Sequence, residues 1–289
     1  MLTRTPVLRF APSPNGLLHL GHAYSALLNS DLARRMGGRL LLRIEDIDLA
    51  RSQPRYVEAI FEEVRWLGLS WEEPVRRQSE HFADYQVAAA KLESMGLLYP
   101  CFASRTGIEA AAGPAPKTDP DGALLYPGLW RGADHAEVDR RRQSGEPFAL
   151  RLDLARALEI IGKPLVWSRF DPSAPSRLRQ HQADPIRWGD AVIVRKETPT
   201  SYHLSVVVDD ALQGVSHVVR GADLEAATGL HRLLQALLGL PQPVYHHHGL
   251  VSDPHGRKLS KSLGDTSLAQ LRRDGATPQD VRRLVGLEI

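Results

Sequence analysis

The chain has 289 residues, of which 43% are hydrophobic and 24% are charged, and its formal net charge is +2. These values exclude a mainly disordered or fibrous protein, and so small a charge does not by itself indicate nucleic-acid binding. The single cysteine, Cys101, excludes an internal disulfide and any site with several cysteine ligands. Because no signal segment and no long apolar run is present, the sequence predicts a cytoplasmic protein with no membrane partner.

The first hundred residues alternate between strand and helix patterns. The predicted elements are strand Val7–Phe10, helix 21–36, strand Arg39–Ile44, helix 54–67 and helix 79–95. Alternation at this spacing is typical of βαβ units, so the sequence predicts a parallel sheet.

The pattern weakens between Cys101 and Phe148, where stretches rich in glycine and proline predict an insertion in the sheet. Regular patterns then return. They predict β-rich segments at 191–195, 204–208 and 215–220, a helix at 224–238 and a strand at 244–247. The residues after Lys261 are enough for one or two helices.

Residues 12–22 join the first strand to the first helix, which is where parallel sheets place ligands. His19 and His22 are three residues apart and therefore share a face of the first helical turn. Free amide groups at a helix start favour anions, and Gly21 permits close approach. This pattern predicts a cradle for adenine and a triphosphate. The alternative is a helix start with two surface histidines.

A second segment reads Lys258-Leu259-Ser260-Lys261-Ser262. Two lysines three residues apart, with a hydroxyl residue between them, predict a loop that places flexible positive charges on phosphates. The alternative is a solvated basic loop.

The two segments together resemble the two signatures of the class I aminoacyl-tRNA synthetases. Four further strings are similar to the glutamyl branch of that family: Arg9-Phe10-Ala11-Pro12-Ser13-Pro14, Leu42-Arg43-Ile44-Glu45-Asp46, Val207-Val208-Asp209-Asp210 and His217-Val218-Val219-Arg220-Gly221. The resemblance implies an α/β fold with a Rossmann-like, doubly wound parallel sheet, an inserted α+β subdomain and a short helical tail. We expect the two halves of the catalytic domain at 1–100 and 166–250, the insertion at 101–165, and the lysine segment with the tail at 251–289.

The resemblance also implies which residues act. Those implied to bind glutamate are Arg9, Ala11, Ser13, Glu45, Tyr202 and Arg220. Arginines can fork onto carboxylates, Glu45 can bind the α-ammonium, and Tyr202 can add a hydroxyl contact. Those implied to bind ATP are Pro12, His19, Gly21, His22, Lys258, Ser260 and Lys261. The residues implied to be catalytic, through the phosphates, are His19, His22, Lys258 and Lys261. A structural role for Arg9, a strand-end turn at Glu45 and a core position for Tyr202 are the alternatives.

Only about 28 residues follow Lys261, so we expect no anticodon-binding domain. A chain of this length resembles the truncated glutamyl-Q branch of the family. That branch activates L-glutamate with ATP without tRNA and esterifies it to the queuosine base at the wobble position of tRNA(Asp). The alternatives are a truncated synthetase that charges a tRNA 3′ end, an enzyme that charges a small molecule or a protein, and a non-catalytic RNA-binding paralogue.

Metal ligands are few. The truncated branch often holds zinc through Cys-x-Cys and Tyr-x-x-x-Cys, but only Cys101 and Tyr126 stand at the matching positions. A stable site needs about four ligands, so we expect no structural zinc and packing of Phe102 on Trp130 in its place. Consecutive histidines at 246–248 alternate faces in a strand and cannot all bind one ion. Mg²⁺ is expected to arrive with ATP.

The expected RNA partner is the anticodon loop of tRNA(Asp) containing queuosine, bound by a monomer. RNA contact depends on basic side chains. The candidates are Arg140, Arg141, Arg142, Arg272, Arg273, Arg282 and Arg283, and the alternative for the last four is a solvated helix face.

Overall fold

The computed structural model describes residues 5–251 and 266–287. The strands are β1 (Val7–Phe10), β2 (Arg39–Ile44), β3 (Glu72–Arg77), β4 (Leu98–Cys101), β5 (Ala149–Leu152), β6 (Val166–Asp171), β7 (Ala174–Gln182), β8 (Val192–Val194), β9 (His217–Gly221) and β10 (Val244–His248). The helices are α1 (Leu20–Arg35), α2 (Pro54–Trp66), α3 (Phe82–Ser94), α4 (Arg105–Ala112), α5 (His135–Gln143), α6 (Leu154–Ile161), α7 (Tyr202–Leu212), α8 (Ala227–Leu238), α9 (Leu268–Arg273) and α10 (Pro278–Leu284). Within these ranges, no helix has both the length and the apolar character needed to cross a bilayer.

The N-terminal half begins with a parallel sheet of β1, β2 and β3, in that order. Helices α1 and α2 are the crossovers between successive strands, as the sequence predicts. All of β1 and the last four residues of β2 are buried, because crossover helices cover the strands of a parallel sheet.

A second sheet has the order β7-β6-β10-β9. Strands β6, β10 and β9 are parallel, and β7 returns antiparallel along the edge. The two sheets meet where β1 runs beside β9: the amide of Ser216 donates to the carbonyl of Val7 at 3.0 Å, and the amide of Val7 donates to Ser216 Oγ at 2.9 Å. The carboxyl ends of β1 and β9 therefore open onto one crevice, the usual ligand position in doubly wound sheets. The predicted α/β fold is confirmed.

A third, antiparallel sheet of β4, β5 and β8 carries the middle of the chain. Helices α4 and α5 lie between β4 and β5 in sequence. The predicted insertion, 101–165, covers α4, α5, β5 and α6. Leu98, Leu152 and Ile193 pack into the same core as α3, α7 and α8, so this sheet packs directly against those helices.

The predicted β-rich segment at 204–208 is wrong, because these residues lie in helix α7. Every residue from Leu204 to Asp210 is buried, since α7 packs among α3, α8 and the apolar core. A helix buried on all sides shows no polar face, and its run of three valines resembles a strand. The hairpin of β6 and β7 was not predicted, because β7 is largely polar and exposed.

The tail forms two helices, α9 and α10, in agreement with its length. Leu268 and Val281 are fully buried in one cluster with Phe10 and Leu18. The amide of Leu268 also donates to the carbonyl of Leu18 at 2.8 Å. The tail is therefore part of the core beside the start of α1.

Candidate active site

Helix α1 begins at a pair of histidines that cap it. The Nδ1 of His19 accepts from the amide of Gly21 at 3.1 Å, and the Nδ1 of His22 accepts from the amide of His19 at 3.2 Å. Because both Nδ1 atoms are acceptors, each neutral ring carries its proton on Nε2. A Cβ on Gly21 would lie 2.9 Å from Cε1 of His19, so only glycine allows the His19 ring this position.

Arg9 lies in the middle of β1 and is only 4% exposed. Its Nε and Nη2 donate to the two carboxylate oxygens of Asp210 in α7, at 3.1 and 3.4 Å. Burial alone would raise the pKa of Asp210, but Arg9 and Arg43 hold this pKa below its usual value. The charge of Arg9 is therefore balanced inside the protein.

Arg43 is the centre of this network and was not predicted as a site residue. Its guanidinium is fully buried and donates to Asp210 Oδ1 at 2.8 Å, to Gln213 Oε1 at 3.0 Å and to Glu45 Oε1 at 3.0 Å. The available signal was a charged residue inside an apolar strand, which requires a partner when buried, together with the adjacent Asp209 and Asp210.

Glu45 lies at the end of β2, with its side chain 9% exposed. Burial raises the pKa of Glu45, and the positive charges of Arg43 and Arg9 partly offset that rise. The first residue of α7, Tyr202, is placed near them, and burial raises the pKa of its hydroxyl. The buried Glu45 carboxylate, which Arg43 positions at the cavity wall, can bind an ammonium group.

Arg220 ends β9 and has a different environment. It is 5% exposed, and its guanidinium donates to Thr228 Oγ1 at 2.9 Å, to His231 Nδ1 at 3.2 Å and to His247 Nε2 at 3.4 Å. Within residues 5–251 and 266–287, no carboxylate pairs with Arg220. Its buried positive charge is therefore left for a ligand.

These groups surround one cavity of about 500 Å³ at the junction of the two sheets. Ten of the predicted site residues line it: Arg9, Ala11, Pro12, Ser13, His19, Gly21, His22, Glu45, Tyr202 and Arg220. The cavity is also lined by residues that the sequence did not indicate: Phe10, Asn15, Ser25, Val219, Gly221, Asp223, Leu224, His248, Leu250 and Val251. The predicted residues Lys258, Ser260 and Lys261 lie outside the described residues.

Comparison with known proteins places this site in a family. The family described as "tRNA synthetases class I (E and Q), catalytic domain" matches residues 6–288. The chain belongs to the class I tRNA synthetases of the E and Q group.

Three similar proteins show how closely the sequence and the fold match. A "Glutamyl-Q tRNA(Asp) synthetase" of Rhodobacter capsulatus is 47% identical over 97% of this chain and 100% of its own length. A protein of the same name from Symbiobacterium thermophilum is 41% identical over 94% of this chain and 83% of its own.

The third is a solved structure, the glutamate-tRNA synthetase of Elizabethkingia anophelis, which superposes with a TM-score of 0.76 at 24% identity. It is matched over 98% of this chain, but the chain spans only 61% of that synthetase. This likeness supports the class I synthetase fold.

Cys101 and Tyr126, the two residues that the sequence resemblance matches to a zinc site, are joined by a hydrogen bond. The thiol of Cys101 donates to Tyr126 Oη at 3.3 Å, and that oxygen also accepts from the amide of Trp130 at 2.9 Å. The rings of Phe102 and Trp130 pack edge to face, with centroids 4.9 Å apart, as the sequence predicts. Groups of three metal-ligating side chains are not found in the part of the chain that the structure describes. The expectation of no zinc stays a prediction.

The arginines predicted to bind RNA mostly have partners within this synthetase. Arg140 and Arg141 both donate to Glu137, and Arg142 pairs with Glu93. In the tail, the ion pairs are Arg272 with Glu62, Arg282 with Asp31 and Arg283 with Asp280, and Arg273 donates to the side-chain Oε1 of Gln270. Arg282 donates to both oxygens of Asp31 at 2.8 and 2.9 Å, so it fastens α10 to α1. Contact with RNA by these residues stays a prediction.

Proposed function

We propose that this chain activates L-glutamate with ATP, without tRNA, and transfers the glutamyl group to the queuosine base at the wobble position of tRNA(Asp). The two relatives described above carry the name of that activity, and one of them is matched over its whole length. The proposal places the protein among ligases that modify a tRNA base rather than among those that charge a tRNA 3′ end.

The observation that carries the proposal is the composition of the cavity wall. The wall includes the histidines at the start of α1 and also Arg220, whose charge no described carboxylate balances. A dicarboxylic amino acid beside a triphosphate matches both kinds of group. Glu45 lines the same cavity and suits the α-ammonium of the amino acid.

In the first step, an oxygen of the glutamate α-carboxylate attacks the α-phosphorus of ATP. The bond to the β-phosphate breaks, pyrophosphate leaves and glutamyl-adenylate forms. We assign the Nε2–H groups of His19 and His22 to the phosphate oxygens, because fixed donors stabilise charge that develops in the transition state. Lys258 and Lys261 are assigned to the departing pyrophosphate on the sequence resemblance alone.

Mg²⁺ enters as part of the MgATP substrate, and it would help to neutralise the phosphates. Its usual ligands in such complexes are phosphate oxygens and water. No step is assigned to a metal held by the protein.

In the second step, a hydroxyl of the queuosine ring attacks the carbonyl of the adenylate. An ester forms, AMP leaves, and the hydroxyl proton passes to solvent or to the leaving phosphate. The base must leave the stack of the anticodon loop to enter the cavity, as in other enzymes that modify bases. Arg140, Arg141, Arg142, Arg272, Arg273, Arg282 and Arg283 remain candidate RNA contacts, although their present ion pairs would have to be exchanged for phosphates.

The deciding experiment is the transfer of radiolabelled glutamate, with ATP, to two RNAs. One is tRNA that contains queuosine but lacks its 3′-terminal adenosine, and the other is intact tRNA from cells that make no queuosine. We expect label on the first RNA only. Label on the second RNA only would overturn the proposal and indicate 3′-end charging. The variant Lys261→Ala serves as a control that should abolish adenylate formation and transfer together.

A further inference from the structure

The guanidinium of Arg220 is held by three acceptors that are all uncharged. Thr228 Oγ1, His231 Nδ1 and His247 Nε2 accept from Nη2, Nη1 and Nε respectively. The hydroxyl of Thr228 also lies 3.0 Å from His247 Nε2. Arg220 Nε and the Thr228 hydroxyl therefore share the single lone pair of this nitrogen. We call Thr228, His231 and His247 the neutral cradle of Arg220.

The direction of the hydrogen bonds fixes the tautomer of His231. An arginine only donates, so Nδ1 of His231 must accept and its proton must lie on Nε2. That Nε2 then donates to Nδ1 of His203, which is 3.2 Å away. His231 is 1% exposed, and burial, followed by the charge of Arg220, lowers its pKa well below the usual value. His231 therefore stays neutral and keeps one orientation.

Some N–H donors of the Arg220 guanidinium remain for a ligand. A guanidinium has five N–H groups, and three of those on Arg220 are committed to the cradle. Among the described residues, two N–H groups and the positive charge of Arg220 are left without a partner, and Arg220 lines the cavity. A carboxylate at position 231 would have accepted the same hydrogen bond but would also have neutralised the charge.

The two carboxylates of glutamate differ in what happens to them during activation. The α-carboxylate reacts and loses its charge in the adenylate, whereas the side-chain carboxylate stays charged throughout. A buried cation that no carboxylate of the described residues balances is stabilised by an anion that keeps its charge. The side-chain carboxylate meets that requirement, and it is also the group that distinguishes glutamate from glutamine.

We propose that His231 is a positioning residue for specificity: it orients Arg220 through a neutral acceptor so that the guanidinium selects the side-chain carboxylate of glutamate over the amide of glutamine. The inference rests on the proposed function. The preference for glutamate over glutamine then depends on the neutral charge of His231 as well as on its hydrogen bond to Arg220.

Two substitutions of nearly equal shape separate charge from hydrogen bonding. His231→Gln keeps a neutral acceptor, and His231→Glu replaces it with a charged one. Pyrophosphate exchange, which needs no tRNA, gives kcat and KM for glutamate, glutamine and ATP in each variant. His246→Gln is the matched control, because His246 lies on the other face of β10 against Phe170 and outside the cavity.

We expect His231→Gln to change the KM for glutamate by less than about threefold. We expect His231→Glu to raise that KM more than about tenfold and to lower the preference for glutamate over glutamine by a similar factor. The KM for ATP should stay within about twofold in both variants and in His246→Gln. A melting curve for each variant verifies folding.

Equal effects of His231→Gln and His231→Glu, or parallel changes in the KM for glutamate and ATP, would overturn the positioning role. If the wild-type protein showed no exchange that depends on glutamate, the proposed function itself would fail. If the wild type were active and His231→Glu kept the full preference for glutamate, only this inference would fail.

Discussion

Two arginines line the same cavity and are almost equally buried, yet their partners are opposite in kind. Arg9 is 4% exposed and faces Asp210, which it shares with Arg43. Arg220 is 5% exposed and faces a threonine and two histidines. The charge of Arg9 is balanced by a carboxylate, whereas the part of the chain that the structure describes offers Arg220 only neutral acceptors.

The two arginines therefore differ in whether a carboxylate of the described residues balances their charge. A buried ion pair is sensitive to the loss of either member, because the remaining charge is then uncompensated. For Arg220, the partners within residues 5–251 and 266–287 are neutral, so its charge is available to an anionic ligand. We expect changes on the Arg9 side to appear mainly in stability, and changes on the Arg220 side mainly in substrate binding.

The largest effect is expected on stability, from a change in the ion pair between Arg9 and Asp210. Asp210→Asn removes the negative charge that faces Arg9 and Arg43, so we expect the free energy of unfolding to fall by about 3–5 kcal/mol. Urea denaturation measures this change. Glu72→Gln is the control, since it breaks an exposed ion pair with Arg39, for which we expect a much smaller loss. Similar losses in the two variants would contradict the comparison.

The second largest effect is expected from acid, which destabilises the fold through the buried histidines near Arg220. Burial, followed by the charge of Arg220, lowers the pKa of His203 to about 3 and the pKa of His247 to about 2, and it lowers the pKa of His231 as well. In the unfolded chain these histidines take up protons near pH 6.5, whereas in the folded chain they do not. Their contribution is therefore complete above about pH 6.5 and is lost as the pH falls toward 3.

The expected loss is roughly 1 kcal/mol for each of these histidines between pH 6.5 and 5.5. Asp210 does not contribute in this window, because its pKa is held below the usual aspartate value. Urea denaturation at pH 7.5, 6.5 and 5.5 measures the slope, and His203→Gln should reduce it. A free energy of unfolding that did not change over this range would refute the neutral-histidine environment.

The smallest effect is expected on the KM for glutamate, when one neutral acceptor of Arg220 is removed. Thr228→Val removes one of three acceptors and leaves the charge intact. We expect the KM for glutamate to rise about fivefold to tenfold, which corresponds to roughly 1–1.4 kcal/mol, the net contribution of a typical hydrogen bond. Pyrophosphate exchange measures it, with the KM for ATP as the internal reference. A rise shared by both substrates would point to a general disturbance of the cavity instead.

Local patterns predicted several of the helices and strands, together with the histidine pair of the site. The strands Val7–Phe10 and Arg39–Ile44 could be predicted to the residue, because apolar runs ended at clear turn signals. His19 and His22 could be predicted because three-residue spacing at a helix start places both rings together. Each of these features depends on neighbours in the chain.

Features that depend on distant partners could not be predicted. Arg43 meets Asp210 across 167 positions of sequence, and nothing local to either residue specifies the other. Helix α7 resembles a strand because tertiary packing, which the sequence does not display, covers all its sides. The neutral cradle of Arg220 joins β9, α8 and β10, so it exists only once the fold has formed.

The hydrogen bond between Cys101 and Tyr126 has a practical consequence. Cys101 is the only cysteine in the chain and is 1% exposed, at the end of β4 where the third sheet meets the turn toward α4. A thiol reagent can reach it only when that sheet opens, so the labelling rate in native buffer reports the free energy of a local opening. The chain thus carries its own reporter for the middle sheet, and this reporter needs no engineered label.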